Sequence, residues 1–144
     1  MANAIIVAGG NGSRASADAT SPHVPKQFQM LGHQTVLAWS VSAFAADPRF
    51  SRIIIVCAEN LHDQVAAMIY PHEVIFAAAG RTRTESVRSC LAHVEADADF
   101  IFIHDAARPG LNSEVLDQLS NALEQGADGA APTRPVIDAL WIVE

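Results

Sequence analysis

Apolar residues along the chain fall in short runs, separated by longer stretches in which they recur at helical spacing. Ala4 to Ala8 is apolar without a break, as expected of a strand covered on both faces. Gln34 to Ala45 places Leu37, Val41 and Phe44 on one stripe and predicts a helix ended by Asp47-Pro48. Ile53 to Cys57 predicts a second buried strand, and Asn60 stands as the N-cap of a helix carrying Asp63, Val65, Met68 and Ile69. Val74 to Ala77 predicts a third strand. Thr82-Arg83-Thr84-Glu85 then has the spacing of a capping box ahead of Val87, Cys90, Leu91 and Val94. Phe100 to Ile103 predicts a fourth strand, followed by a helix with Val115, Leu116, Leu119 and Leu123 that ends near Gly126. Ala127 to Ala131 reads as a strand of small residues, and Val136 to Val143 as a further apolar stretch.

This alternation predicts an α/β fold with a mostly parallel sheet and helices on both faces. Ligands of such sheets gather beyond the carboxyl ends of the strands. The most unusual loops of the chain lie there: 9–25, 78–82 and 104–110. With 144 residues, 50% hydrophobic and 17% charged, the composition is that of one core-forming domain. The run at Trp141 to Glu144 breaks off without a polar tail, so the domain is expected to continue beyond residue 144.

Charge and special residues narrow the chemistry. A net charge of -7 gives no general attraction for a nucleic-acid backbone, so no nucleic-acid partner is expected. No apolar run approaches the roughly 18 residues of a membrane span. The start, Met1-Ala2-Asn3-Ala4, lacks a basic leader, so the expectation is a cytoplasmic protein with no membrane partner. Cys57 and Cys90 are expected as buried apolar residues, and the six histidines form no zinc-type cluster. No nucleophile elbow is present.

Gly10-Asn11-Gly12-Ser13-Arg14-Ala15 follows a strand and matches the G-x-G-x-x-A pattern of dinucleotide sites. Pro22 and Pro25 interrupt the helix that pattern requires, and the first acidic candidate near the second strand, Glu59, lies too far along. A Walker A reading fails because no Gly-Lys-Ser/Thr follows. What remains is a backbone turn whose N–H groups can face phosphate oxygens, with Arg14 supplying planar donors and Lys26 a compact ammonium. The second polar concentration is His104-Asp105-Ala106-Ala107-Arg108-Pro109. There Asp105 can meet a ligand's hydroxyls or its metal, or else cap the loop, and Arg108 can pair with an acidic neighbour.

Four segments in order carry a resemblance. They are Ile5-Ile6-Val7-Ala8-Gly9-Gly10-Asn11-Gly12-Ser13-Arg14, Pro25-Lys26-Gln27-Phe28, Ala79-Gly80-Arg81-Thr82-Arg83-Thr84-Glu85-Ser86-Val87 and His104-Asp105-Ala106-Ala107-Arg108-Pro109. Together they resemble the 2-C-methyl-D-erythritol 4-phosphate cytidylyltransferase family of the non-mevalonate isoprenoid pathway, some members of which are fused to a cyclodiphosphate synthase. The resemblance implies a Rossmann-like nucleotidyltransferase sheet, of which this chain is the N-terminal part, and a homodimer when the protein is complete. It implies that Ala8, Gly9, Gly10 and Gly12 line the cytidine triphosphate site and that Arg14 and Lys26 are the catalytic cations. Gly80, Arg83 and Ser86 would surround the cytosine and ribose, and Asp105 and Ala106 would meet the nucleotide, Asp105 near its Mg2+. Asp138 would help hold the polyol phosphate.

The chain departs from the family pattern in three places. Asp138-Ala139-Leu140-Trp141 stands for Asp-Thr-x-Lys, Gly9 replaces a common alanine, and the loop from Ala15 to Val24 is longer than in many members. Two alternatives share the residues: a nucleotidyltransferase for another polyol or sugar phosphate, such as ribitol 5-phosphate, and a nucleotide-binding module without turnover.

Overall fold

The computed structural model describes residues 1–10 and 24–135. The chain divides into two compact units, Met1–Leu111 and Asn112–Glu144.

In the first unit, four parallel strands form the central sheet. They are β1 (Ala2–Val7), β4 (Phe50–Cys57), β5 (Ile75–Ala78) and β6 (Phe100–Asp105), in the spatial order β5-β4-β1-β6. A separate two-stranded hairpin is made by β2 (Met30–Leu31) and β3 (Gln34–Thr35). Its turn opens on Gly32, whose φ of 69° favours glycine.

Side-chain alternation assigns the two faces of the sheet. Ile5, Ile54, Val56 and Ala77 pack with Cys90 of α3 (Arg83–Leu91), and Val7, Ile75 and Val94 pack around them. The opposite face receives α1 (Val36–Ala45), whose Phe44 meets Phe50 and His104 edge-on, and α2 (His62–Ile69), whose His62 stacks on Phe76 of β5. Ile5, Ile6, Leu37, Val41, Ile54, Ile55, Val56 and Val65 have no solvent exposure. Each such side chain contributes roughly 1.5–3 kcal/mol. The mostly parallel sheet with helices on both faces is thus the one that the pattern predicts. Cys57 and Cys90 are free and buried, and burial pushes the Cys57 thiol up to about 11.

The amino end of the sheet carries a buried polar clamp. Ala2 pairs with Phe50 but Asn3 with Arg52, so Ser51 is an extra residue, and this bulge re-aims its hydroxyl. The fully buried Asn3 donates through Nδ2 to Ser51 Oγ at 3.1 Å and to Glu95 Oε2 at 2.9 Å, and its Oδ1 accepts from the Glu95 N–H at 2.8 Å.

Apart from the strand ends, which shift by one to three residues, three expectations are corrected. The predicted helix from Gln34 begins at Val36, because Gln34 and Thr35 belong to the hairpin; the Thr35 hydroxyl caps the Ala38 N–H at 3.2 Å. Asn60 does not cap α2. It sits inside a 3-10 turn, Glu59–Leu61, and Leu61 occupies the cap position without a side-chain bond. Residues 127–131 form no strand; this run of Ala, Asp and Gly has little strand propensity.

Within the second unit, α4 (Ser113–Glu124) starts at Asn112, whose Oδ1 accepts from the Val115 N–H at 3.0 Å. It ends as the glycine signal predicts. Gly126 has φ 96°, with Gly126 N–H bonded to Leu123 O and Ala127 N–H to Ala122 O in a Schellman arrangement. Val136 to Val143 lies outside the described residues. No helix among the described residues is long and apolar enough to cross a membrane.

Candidate functional site

At the carboxyl ends of the strands the ladder runs one residue past the sheet. The Ala8 N–H donates to Val56 O at 2.9 Å, Ala79 to Cys57 O at 3.2 Å and Ala106 to Val7 O at 3.1 Å. The starts of the three predicted loops are therefore held side by side on one rim.

In the glycine turn, Gly9 and Gly10 do not have positive φ, so backbone conformation does not require glycine at either. A Cβ on Gly9 would lie 3.4 Å from the Ala79 Cβ, and one on Gly10 would meet nothing within 4 Å among the described residues. Among the described residues the space before Gly10 is open, as a site needs where a ligand comes close to backbone. Gly12 and Arg14 lie outside the described residues.

Lys26 begins a 3-10 turn, Lys26–Phe28, entered through Pro25 at φ -52°. The next residue, Gln27, is buried, and its Nε2 donates to Ala8 O at 2.9 Å and to Gly10 O at 3.0 Å. Lys26 is exposed and adjoins this clamp.

The loop before α3 is built around Gly80. A Cβ there would fall 2.4 Å from Glu85 Cβ, 2.8 Å from Glu85 C and 2.9 Å from Ser86 N, so only glycine fits. Gly80 N–H donates to the buried Ser86 Oγ at 3.0 Å, and that hydroxyl donates to Thr82 O at 2.9 Å. The capping box forms in a shifted version: Thr82 Oγ1 accepts from Glu85 N–H at 3.1 Å, while the Glu85 carboxylate takes the Arg81 N–H, not that of Thr82, at 2.7 Å. Gly80 and Ser86 thus fix the loop from which Arg83 projects.

Arg83 reaches the other loop. Its Nη2 donates to Asp105 Oδ1 at 3.0 Å, and Arg108 Nε donates to Asp105 Oδ2 at 3.0 Å. Partial burial disfavours the Asp105 carboxylate, but the hydrogen bonds and charges of the two arginines outweigh it and hold its pKa below the ordinary value. The neighbouring His104 is held below its ordinary value by burial, although the Arg108 carbonyl, 3.0 Å from Nε2, and the Asp105 charge favour its cation. Ala106 is buried, and its carbonyl accepts from Ser40 Oγ of α1 at 3.2 Å.

The described site residues are therefore brought together on one rim: Ala8, Gly9, Gly10 and Lys26 through Gln27, Gly80 and Ser86 through the α3 cap, and Arg83, Asp105 and Ala106 through the ion pairs and Ser40. Asp138 lies outside the described residues. Sequence reasoning missed Gln27 and Ser40 as site-building residues. Gln27 lies inside the Pro25-Lys26-Gln27-Phe28 segment, which is the signal that could have found it, whereas Ser40 lies in the middle of α1 with no motif beside it. No group of three or more His, Cys, Asp or Glu that could hold a metal occurs among the described residues. One carboxylate, Asp105, fits an ion such as Mg2+ that is held mainly through substrate phosphates.

The arrangement places exposed cations and open backbone around one rim of an otherwise acidic chain, which suits a polyanionic phosphate ligand. The family model for 2-C-methyl-D-erythritol 4-phosphate cytidylyltransferase (IspD) matches residues 2–144. A bifunctional enzyme IspD/IspF of Hyphomonas neptunium is 43% identical over 139 residues, covering 95% of this chain and 34% of that protein. A 2-C-methyl-D-erythritol 4-phosphate cytidylyltransferase of Bordetella petrii is 36% identical over 139 residues, covering 95% of this chain and 60% of the relative. A crystal structure of 4-diphosphocytidyl-2C-methyl-D-erythritol synthase superposes with a TM-score of 0.78 at 28% identity, covering 99% of this chain and 64% of the other. This chain accordingly spans about a third of the length of the bifunctional relative and 60% of the monofunctional one. By the match over residues 2–144, the chain belongs to the 2-C-methyl-D-erythritol 4-phosphate cytidylyltransferase family.

Proposed function

We propose that this chain is the nucleotide-binding part of a nucleotidyltransferase domain that continues beyond residue 144. The complete protein transfers a cytidylyl group from cytidine triphosphate to 2-C-methyl-D-erythritol 4-phosphate. The observation that carries this reading is the meeting of the Gln27-held glycine turn with the Arg83–Asp105–Arg108 loops on one rim.

An oxygen of the acceptor phosphate attacks the α-phosphorus of the nucleotide. A new P–O bond forms, the bond to the β-phosphate bridge breaks, and pyrophosphate leaves with the electron pair. With a second pKa near ~6, the acceptor phosphate is already largely a dianion at neutral pH, so no side-chain base is required. The remaining task is to align two anions that repel each other and to stabilise charge as it shifts toward the leaving group.

Arg14 and Lys26 supply the stabilising charge, and Ala8, Gly9, Gly10 and Gly12 present backbone to the phosphates. The Gly80–Ser86 loop with Arg83 encloses the base and ribose, and Asp105 and Ala106 close the opposite side. Asp105 would help hold a Mg2+ ion carried by the nucleotide phosphates, and the ion would supply neutralisation of their charge. Asp138 contributes to holding the acceptor, and a homodimer completes the site in the cytoplasm. The test is release of pyrophosphate from cytidine triphosphate across a panel of acceptors that includes methylerythritol phosphate and ribitol 5-phosphate.

A further inference from the structure

The proposed reaction assigns no role to Gln27, yet it is the residue that joins two phosphate-binding elements. Its carboxamide is buried, lies 19 positions from Ala8 and 17 from Gly10, and gives its donors to both of their carbonyls at 2.9 and 3.0 Å. In a trans peptide the C=O and the following N–H point in opposite directions. Pinning the Ala8 carbonyl onto Gln27 therefore aims the Gly9 N–H the other way.

The same contact draws two carbonyl dipoles, which would repel a phosphate, onto a neutral donor. Because Gln27 directly follows Lys26 in the Lys26–Phe28 turn, it also sets the spacing between that ammonium and the glycine turn. An amide is suited to this place. It offers two donors without a charge, whereas a carboxylate would face two carbonyl oxygens and methionine would offer no donor.

We propose that Gln27 is a positioning residue for triphosphate binding, acting through the glycine turn and Lys26 and not by touching the reacting atoms. This rests on the nucleotide-site reading above. A merely structural role would lower stability and reduce all kinetic parameters together. A positioning role weakens nucleotide binding selectively.

The experiment compares full-length wild type with Gln27→Met, which keeps size without donors, Gln27→Asn, which shortens the reach, and Phe28→Leu, which disturbs packing in the same turn. Affinity for Mg2+–cytidine triphosphate is measured by calorimetry, the acceptor KM by pyrophosphate release and the folded fraction by thermal melting. Gln27→Met is expected to weaken nucleotide binding about tenfold or more, on the scale of losing preorganised hydrogen bonds. Its acceptor KM should stay within about twofold of wild type, while Phe28→Leu loses stability without losing affinity. Gln27→Asn, which folds more readily if Gln27→Met does not, should fall between.

Nucleotide affinity unchanged in both Gln27 variants overturns the proposal, and so does a loss that Phe28→Leu reproduces. Folded wild type that binds no cytidine triphosphate overturns the proposal together with the nucleotide-site reading. Wild type that binds the nucleotide but does not turn over methylerythritol phosphate overturns only the acceptor assignment, and the binding comparison still decides the role of Gln27.

Discussion

Arg83 Nη2 lies 3.0 Å from Asp105 Oδ1, which joins the start of α3 to the end of β6, 22 positions apart in sequence. The pair is exposed, with 59% of the Arg83 side chain and 38% of the Asp105 side chain accessible, so solvent screening keeps its stabilising contribution small. A double-mutant cycle of Arg83→Ala and Asp105→Ala should give a coupling in unfolding free energy of about 0.2–1 kcal/mol. The same substitutions should lower kcat/KM for cytidine triphosphate by roughly tenfold or more, as expected when groups that orient a substrate are removed. Unchanged kcat/KM would show that the pair only ties the loops together.

The two kinds of glycine in the site should behave oppositely. Gly80→Ala forces a Cβ to within 2.4 Å of Glu85 Cβ and close to the backbone at the start of α3, so it should cost about 1–3 kcal/mol of stability. Gly10→Ala meets nothing within 4 Å among the described residues, so stability should change by less than about 0.5 kcal/mol while nucleotide affinity falls. Urea unfolding together with nucleotide titration of both variants separates the two effects. Intact affinity in Gly10→Ala would remove the glycine turn from the ligand site.

Glu95 makes the acid response predictable. Hydrogen bonds from Ser51 and Asn3, with the charge of Arg52, hold its carboxyl below the ordinary value despite some burial. In the unfolded chain a glutamate titrates near ~4.3. A depressed folded value therefore adds stability above that pH, and the addition is lost as pH falls through the folded value. Glu95→Gln should be less stable than wild type at neutral pH, and the gap should narrow below about pH 4. Urea midpoints of both proteins at neutral and acid pH check this; a gap that does not change with pH contradicts it.

The sheet was legible because its strands are covered runs: Ile53 to Cys57 is buried throughout, and Ala4 to Ala8 is buried except for the partly covered Val7, as their uniform apolarity implies. Helix caps with a short polar side chain were also readable, at Thr82 for instance. Interactions that depend on distant backbone were not. Nothing near Gln27 in sequence announces the carbonyls of Ala8 and Gly10, and nothing near Ser51 announces the bulge that turns its hydroxyl toward Asn3. The hairpin at Met30–Leu31 and Gln34–Thr35 was hidden because its second strand merges into the apolar stripe of α1. In the site, the motifs identified which loops matter, and Arg108 pairs with its acidic neighbour Asp105 as expected, but the reach of Arg83 to the same carboxylate follows from a convergence that only the folded sheet creates.

The proposed cytidylyl transfer depends on Lys26 and Arg14 to stabilise charge. The most direct measurement is steady-state pyrophosphate release by the full-length protein with cytidine triphosphate, Mg2+ and 2-C-methyl-D-erythritol 4-phosphate, for wild type, Lys26→Ala and Arg14→Ala. The predicted result is turnover by wild type and a fall in kcat of about 10² or more in each variant, the scale for losing a preorganised charge-stabilising donor. Folded wild type that releases no pyrophosphate, or variants that keep near-normal kcat, would contradict it.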